Sequence, residues 1–398
     1  MMASKNNNQT EKVEPILQED PTRTYALFPL KYPEIWSSYK QLVSTFWTSE
    51  EVDLEQDKVD FETKMTQEQK HYLCTTLAFF ASADCIVNLN LLNNFCSEIK
   101  NPEAQCFLAF QAAQENIHAE VYNLMIDRLC DRDEHHTFHG EFKNGTFCTE
   151  TTINGDSASI TYKAGNQEGS VLRVSKQGFV LDKPIKTNVI DITLSRKQHL
   201  FSSLITMPAI KQKGEWALKW ANSDRPFGER IVAWAVVEGL LFASSFASIA
   251  FFKHKGILPG VGTVNEWISR DESAHANFAC LLLRKYIVNK PSVERVHEIF
   301  KEAIEIEDVF VETSLPVELI GINCKEMKMY VRYCANRLLK SMGYPLCHTA
   351  PFDSKAQSPW KWINLLSVSG MTSFFEKKVA DYAKATINKA QISFDAGF

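Results

Sequence analysis

The sequence predicts an all-α helix bundle interrupted by a small β-rich insertion. Three observations carry that reading. Long stretches on either side of the chain's middle repeat apolar residues at helical spacing, and two are almost free of charge. Between His71 and Glu98 the only charged residue is Asp84, and between Arg230 and Lys253 it is Glu238. From about Asp133 to Asn188 the pattern changes to alternating Thr, Val, Ile and Phe with polar residues between them. Asn144–Gly145 and Asn154–Gly155 mark hairpin turns there.

Taken in order, residues 1–24 are polar and read as a flexible N-terminal segment without an apolar leader. A helix follows from Pro33 to Trp47, and Thr48 to Glu51 offers a capping box. Thr66-Gln-Glu-Gln69 opens the helix bearing Asp84. Asn101–Pro102 gives an N-cap and an N1 proline to the helix bearing Glu115, His118 and Tyr122. Helical patterning resumes near Ser195. The helix with Glu238 follows Pro226, and the one with Glu272 follows a turn at Pro259–Gly262. Further helices fill 292–341, and a last one runs through FFEKKVADYAKA. The expected organisation is a helical domain in two parts, 25–132 and 195–382, split by a β-patterned insertion at 133–194. A flexible tail, 383–398, ends the chain.

A net charge of −5 over 398 residues gives no reason to expect nucleic acid or anionic lipid as partner. The Arg230–Lys253 stretch is long enough to span a membrane. Glu238 near its middle, its serines and the lack of a flanking basic bias favour a buried core helix instead. Ten cysteines occur without a C-x-x-C pair. Cys74, Cys85 and Cys96 recur every eleven residues, roughly on one helix face, and read as buried thiols in a reducing cytosol. The localisation expected is cytoplasmic.

The chemistry is expected where charge is scarce. An ionised carboxylate in apolar surroundings costs several kcal/mol unless a positive group sits beside it. Glu115–His118 and Glu272–His275 are Glu-x-x-His pairs, which put a carboxylate and an imidazole on one helix face. Spacing alone is weak, since four of the ten histidines have a Glu three positions earlier. Glu68–His71 and Glu294–His297 lie among charged neighbours and read as solvated faces. With Asp84 and Glu238 the buried set becomes four acids and two imidazoles on four helices. That is the ligand set of ferritin-like di-iron and di-manganese bundles, with Asp in place of the first Glu. Oxygen donors with one imidazole per ion suit iron or manganese. Tyr122, one turn beyond His118, is an oxidisable phenol beside this set, and Phe242 and Phe246 would wall it from water. His135, His136 and His139 read as a solvated loop rather than a second metal site.

Six segments carry a resemblance: FWTSEEVDL (46–54), LAFFASADCIVN (77–88), ENIHAEVY (115–122), GERIVAWAVVEG (228–239), ISRDESAH (268–275) and LPVELIGIN (315–323). In this order they resemble the small subunit of class I ribonucleotide reductase, of the eukaryotic and viral type. The resemblance implies a ferritin-like homodimer with two iron ions per subunit, manganese being the alternative metal. Asp84, Glu115, His118, Glu238, Glu272 and His275 would be the ligands. It further implies that oxygen and the metal pair oxidise Tyr122 to a stable radical, with Phe242, Phe246 and Ile268 forming the apolar pocket. Trp47 and Asp271 match the route by which the oxidising equivalent leaves, and Tyr382 matches its relay across the subunit interface. The tail Ser393–Phe398 resembles the peptide that docks on the large subunit, where ribonucleoside diphosphates are reduced. The 133–194 insertion departs from the family pattern. Other readings of the same metal set are a di-iron oxidase or hydroxylase, a ferritin-like iron store, or a radical-free auxiliary subunit.

Overall fold

The computed structural model describes residues 13–23, 26–130, 135–143, 146–149, 172–175, 178–181, 189–195, 207–221, 224–314 and 321–360. The expected tail and last helix, Tyr382 and residues 393–398 included, lie outside them.

The first half is built by α1 (Pro33–Ser44), α2 (Glu55–Lys64), α3 (Gln67–Asn90) and α4 (Pro102–Leu129). The caps read from the sequence are present. Thr66 and Gln69 close a reciprocal capping box at the start of α3, as Thr48 and Glu51 do before α2. The Asn101 side chain accepts from Ala104 N at the start of α4. The second half adds α5 (Pro208–Ala221), α6 (Phe227–Val236), α7 (Ala243–His254), α8 (Pro259–Leu281), α9 (Val293–Val309) and α10 (Cys324–Met342). A π-helical turn, Val237–Leu241, joins α6 to α7. Helix α3 lies along α4 and also meets α5; α8 packs on α6 and α7. One continuous apolar core runs through all of them.

Two helical runs, Gln67–Glu98 and Phe227–His254, are apolar and long enough to cross a membrane. In the second, 89% of the most apolar window is buried inside the bundle, so the fold uses it as a core helix.

Helix α8 starts at Pro259, so Pro259–Gly262 is its first turn rather than a turn ahead of it. Its cap is borrowed. Leu258, at φ 56°, offers no side-chain cap, and α2 supplies two carboxylates instead. Asp57 accepts from Gly260 N at 2.9 Å and Val261 N at 2.7 Å, and Asp60 accepts from Leu258 N at 3.0 Å. Gly260 permits this approach, because a Cβ there would lie 2.2 Å from Asp53 O. Acids at a helix N-terminus also complement its dipole.

The middle of the chain contains β1 (His135–Lys143), β2 (Thr146–Thr149), β3 (Leu172–Ser175), β4 (Gly178–Leu181) and β5 (Val189–Ser195). Strands β2-β1-β5 form one antiparallel sheet and β3-β4 a second. Asn144–Gly145 and Asn154–Gly155 both lie outside the described residues, though β1 and β2 pair antiparallel on either side of the first. His135, His136 and His139 belong to strand β1, not to a loop. Phe138, Gly140 and Phe142 recur at the strand period of two, a pattern that holds despite the polar histidines. Pairing of His135 with Ser195 brings the two ends of the excursion together. Ser195 itself is the end of a strand, so helical structure does not resume there.

The cysteines differ from expectation. Cys74 and Cys130 form a disulfide that ties α3 to the end of α4, and Cys85 is exposed. Helix α3 is buried on every side from Tyr72 to Ser82 but on fewer sides beyond. The π-helical turn Leu91–Phe95 then shifts the helical phase before Cys96.

Candidate metal centre

Asp84 projects from α3, Glu115 and His118 from α4, Glu238 from the π turn, and Glu272 and His275 from α8. All six are at most 2% exposed. They form two groups, Asp84–Glu115–His118 and Glu115–Glu238–Glu272–His275, within each of which one donor atom per residue lies within 4.8 Å of the others. Glu115 belongs to both. The decoys separate as burial requires: His71 is exposed, and His297 faces Pro345 O at 2.9 Å.

Each imidazole turns one nitrogen inward and the other outward. His118 Nδ1 lies 3.0 Å from Glu272 Oε1 and 3.6 Å from Glu115 Oε2, while Nε2 faces Asp271 Oδ2 at 3.4 Å. His275 Nδ1 lies 3.1 Å from Glu115 Oε1 and 3.2 Å from Glu272 Oε2, while Nε2 faces Gln114 Oε1 at 3.3 Å. An outer oxygen holding the Nε2 proton leaves the Nδ1 lone pair for a cation.

Burial raises Asp84 and Glu238 well above the carboxylate range, and neighbouring acids push the same way. Burial also pushes Glu272 up, but Glu238, His118 and His275 outweigh it and hold Glu272 low. Desolvation lowers His275, yet Glu115 and Glu272 bring it up to about 9. The cluster without a cation therefore keeps protons that metal binding would displace.

Whether a metal fits is decided by the unsatisfied atoms. Asp84 Oδ2, Glu115 Oε2, Glu238 Oε2, Glu272 Oε1 and His118 Nδ1 are buried without an aligned hydrogen bond, the last two facing each other at 3.0 Å as an ion pair. Five such atoms on the clustered ligands are what cations would satisfy, and buried polar groups are rarely left otherwise. The residues present fit a metal centre.

Sequence reasoning missed the residues that aim these ligands. Gln111 Nε2 donates to Glu238 Oε1 at 2.9 Å and to Glu115 Oε1 at 3.3 Å, and Trp234 Nε1 donates to Glu238 Oε1 at 2.7 Å. Gln111 and Trp234 precede Glu115 and Glu238 by four residues, one helical turn, which was the available signal. Phe80, four before Asp84, stacks on Tyr122 with centroids 4.7 Å apart and planes 3° from parallel. Phe246 and Phe242 pack on Phe80 at 4.7 and 5.7 Å, forming the second layer of that wall. Ile268 is buried as well. The Tyr122 hydroxyl has no hydrogen-bond partner, and burial followed by the charges of Asp84, Glu272 and Glu115 raises its pKa well above the usual phenol value.

Trp47 lies over His118, centroids 5.9 Å apart and planes at 17°, and its Nε1 donates to Asp271 Oδ2 at 2.8 Å. Asp271 thus joins Trp47 to the outer nitrogen of His118. Arg270 Nε, 3.2 Å from Asp271 Oδ1, balances its charge.

Comparison with known proteins agrees with this geometry. The family model for the ribonucleotide reductase small chain matches residues 24–150 and 187–355, omitting only part of the β-patterned stretch between them. The Dictyostelium discoideum ribonucleoside-diphosphate reductase small subunit is 37% identical over 381 residues, covering 96% of this chain and 92% of that one. The small chain from Vaccinia virus (strain Ankara) is 37% identical, covering 94% and 95%. A ribonucleotide reductase homodimer structure from Saccharomyces cerevisiae superposes with a TM-score of 0.65 at 30% identity, covering 92% of each chain. A dimanganese(II) protein from Streptococcus sanguinis, 16% identical over 87% of this chain and 99% of that one, shares the fold with a TM-score of 0.63. Two matched blocks spanning both halves of the bundle, and a buried carboxylate–histidine cluster between them, place this chain in the ribonucleotide reductase small-chain family, as a ribonucleoside-diphosphate reductase small subunit.

Proposed function

We propose that the cluster holds two iron ions per subunit and that Tyr122 is the residue oxidised to a stable radical. The observation that carries this reading is Glu115 shared between two buried ligand groups, with Tyr122 one turn beyond His118. When bound, the metal pair supplies a strong oxidant from dioxygen. Manganese remains the alternative metal, as in the Streptococcus sanguinis protein.

The chain's own residues decide what is oxidised. The raised pKa of Tyr122 keeps its proton on in the ground state, so electron and proton must leave together. Asp84, whose charge Tyr122 feels most among the neighbouring acids, would take that proton once metal binding has displaced its own. Phe80, backed by Phe242 and Phe246, covers one ring face and excludes water and reductants from a phenoxyl group. Trp47, Asp271 and His118 form a connected exit for the oxidising equivalent. Asp271 Oδ2 holds the Trp47 indole proton and can take it as the indole loses an electron. Tyr382 would continue the relay, and Ser393–Phe398 would dock on the large subunit, where the ribonucleoside diphosphate is reduced.

The same reading assigns a cytoplasmic homodimer, without nucleic-acid or membrane partners. It takes 25–132 and 195–382 as one ferritin-like domain, flanked by segments 1–24 and 383–398. Residues 133–194 form a small β-rich module whose paired ends let it leave and rejoin the bundle locally. The test is electron paramagnetic resonance after aerobic iron loading. A tyrosyl signal absent from Tyr122→Phe supports the proposal. Substrate-dependent oxygen uptake without a radical would favour a hydroxylase. Full iron occupancy with neither would favour an auxiliary subunit.

A further inference from the structure

A second buried charge cluster lies beside the π turn that carries Glu238. Lys213, on α5, is 2% exposed, and its Nζ lies 2.8 Å from Glu307 Oε2 of α9. Glu307 is fully buried and accepts from Ser244 Oγ at 3.1 and 3.3 Å. The ammonium also sits over the Phe310 and Phe79 rings, 3.5 and 4.3 Å from their centroids. Burial lowers the Lys213 pKa and raises that of Glu307, so both charges are held against desolvation. Replacing such a pair with apolar residues is often neutral or stabilising, so stability alone is a weak reason for it.

The third contact of Lys213 supplies another reason. Its Nζ donates to Leu241 O at 2.9 Å, and Leu241 is the last residue of the π turn. A π turn shifts the helical ladder by one residue and leaves a carbonyl short of an amide. Glu238 lies three residues earlier in that turn. The opposite side is fixed by Gly239, where a Cβ would approach Leu338 Cδ2 to 3.1 Å and Ala276 Cβ to 3.4 Å. Trp234 and Gln111 hold the carboxylate itself, and Lys213 holds the backbone that presents it.

We propose that Lys213, anchored by Glu307 and Ser244, is a positioning residue for the ligand Glu238, acting through the Leu241 carbonyl. The inference rests on the cluster being a metal centre. Removing Lys213 and Glu307 together therefore loosens one ion far more than the other.

The test is manganese(II) binding to metal-free, full-length protein, counted from the resonance of the free ion. Wild type should bind two ions per chain. In Lys213→Met/Glu307→Met, the ion that uses Glu238 should bind at least about tenfold more weakly, the range typical of groups that orient metal ligands. The Asp84–Glu115–His118 ion should be retained, and the melting temperature of the metal-free protein should not fall. Lys213→Arg, which keeps a donor for Leu241 O, should recover most of the affinity. Ser244→Ala should weaken the same ion by a smaller factor, which keeps the question answerable if the double variant does not fold. Wild-type affinity for both ions in a folded double variant, or in Ser244→Ala, would overturn the proposal. A wild type that binds no manganese would instead remove the metal centre on which it rests.

Discussion

Two groups of buried charge share this core, and they are finished in opposite ways. Lys213, Glu307 and Ser244 close on one another: a cation meets a carboxylate, the carboxylate also accepts from a hydroxyl, and a further ammonium N–H donates to a carbonyl. The six-residue cluster does not close. It brings four acids and two imidazoles together and leaves five ligand atoms without an aligned hydrogen bond. The first group is complete with protein atoms alone, whereas the second needs a cation. A buried charge is thus informative about function when its surroundings fail to satisfy it.

The largest effect that would break this contrast is expected at Glu115. As the acid common to both ligand groups, its replacement by Ala should abolish binding of both ions, while Glu238→Ala should spare one. Metal analysis of the two purified variants checks it, and equal loss in both would deny the sharing. Next is Phe80→Ala. A buried aromatic truncated to Ala costs about 3–5 kcal/mol. Beyond lowering the melting temperature, it should shorten the lifetime of a Tyr122 radical, read by resonance decay with and without a small reductant.

A third prediction uses pH. His275 stands at about 9 in the metal-free cluster, against 6.5 for a free imidazole. A folded-state pKa raised this way stabilises fully below 6.5, and the contribution is lost as pH climbs through 9. The magnitude is on the order of 3 kcal/mol. The metal-free protein should therefore melt progressively lower from pH 6.5 to 9, while the metal-loaded protein should not. Parallel melting curves for the two forms would contradict the assignment of His275. A smaller structural change is expected from Trp47→Phe, which removes the hydrogen bond to Asp271. Metal content and Tyr122 radical should persist while turnover with the large subunit is lost. The smallest effect is expected from deleting 133–194 and bridging the gap, which should leave metal loading and radical yield intact.

Legibility in the sequence followed the same contrast. Asp84 and Glu238 could be read because each is the only charge in a long apolar stretch, and burial then separated Glu115–His118 and Glu272–His275 from Glu68–His71 and Glu294–His297. Lys213 could not. It lies in KQKGEWALK, which looks like an ordinary solvated face, and its partner Glu307 reaches it only in the folded chain. The Asp57 and Asp60 caps on α8 and the Cys74–Cys130 bond share that cause, being contacts between distant segments. Gln111, Trp234 and Phe80 stood in between, one turn before an acid, where a helical-spacing argument reaches them once the acids are known.

The most direct test of the shared-ligand claim is an anomalous difference map from iron-loaded crystals. Two peaks in the bundle interior with the Glu115 carboxylate between them are the expected result. A single peak, or iron held only by the β1 histidines, would contradict it.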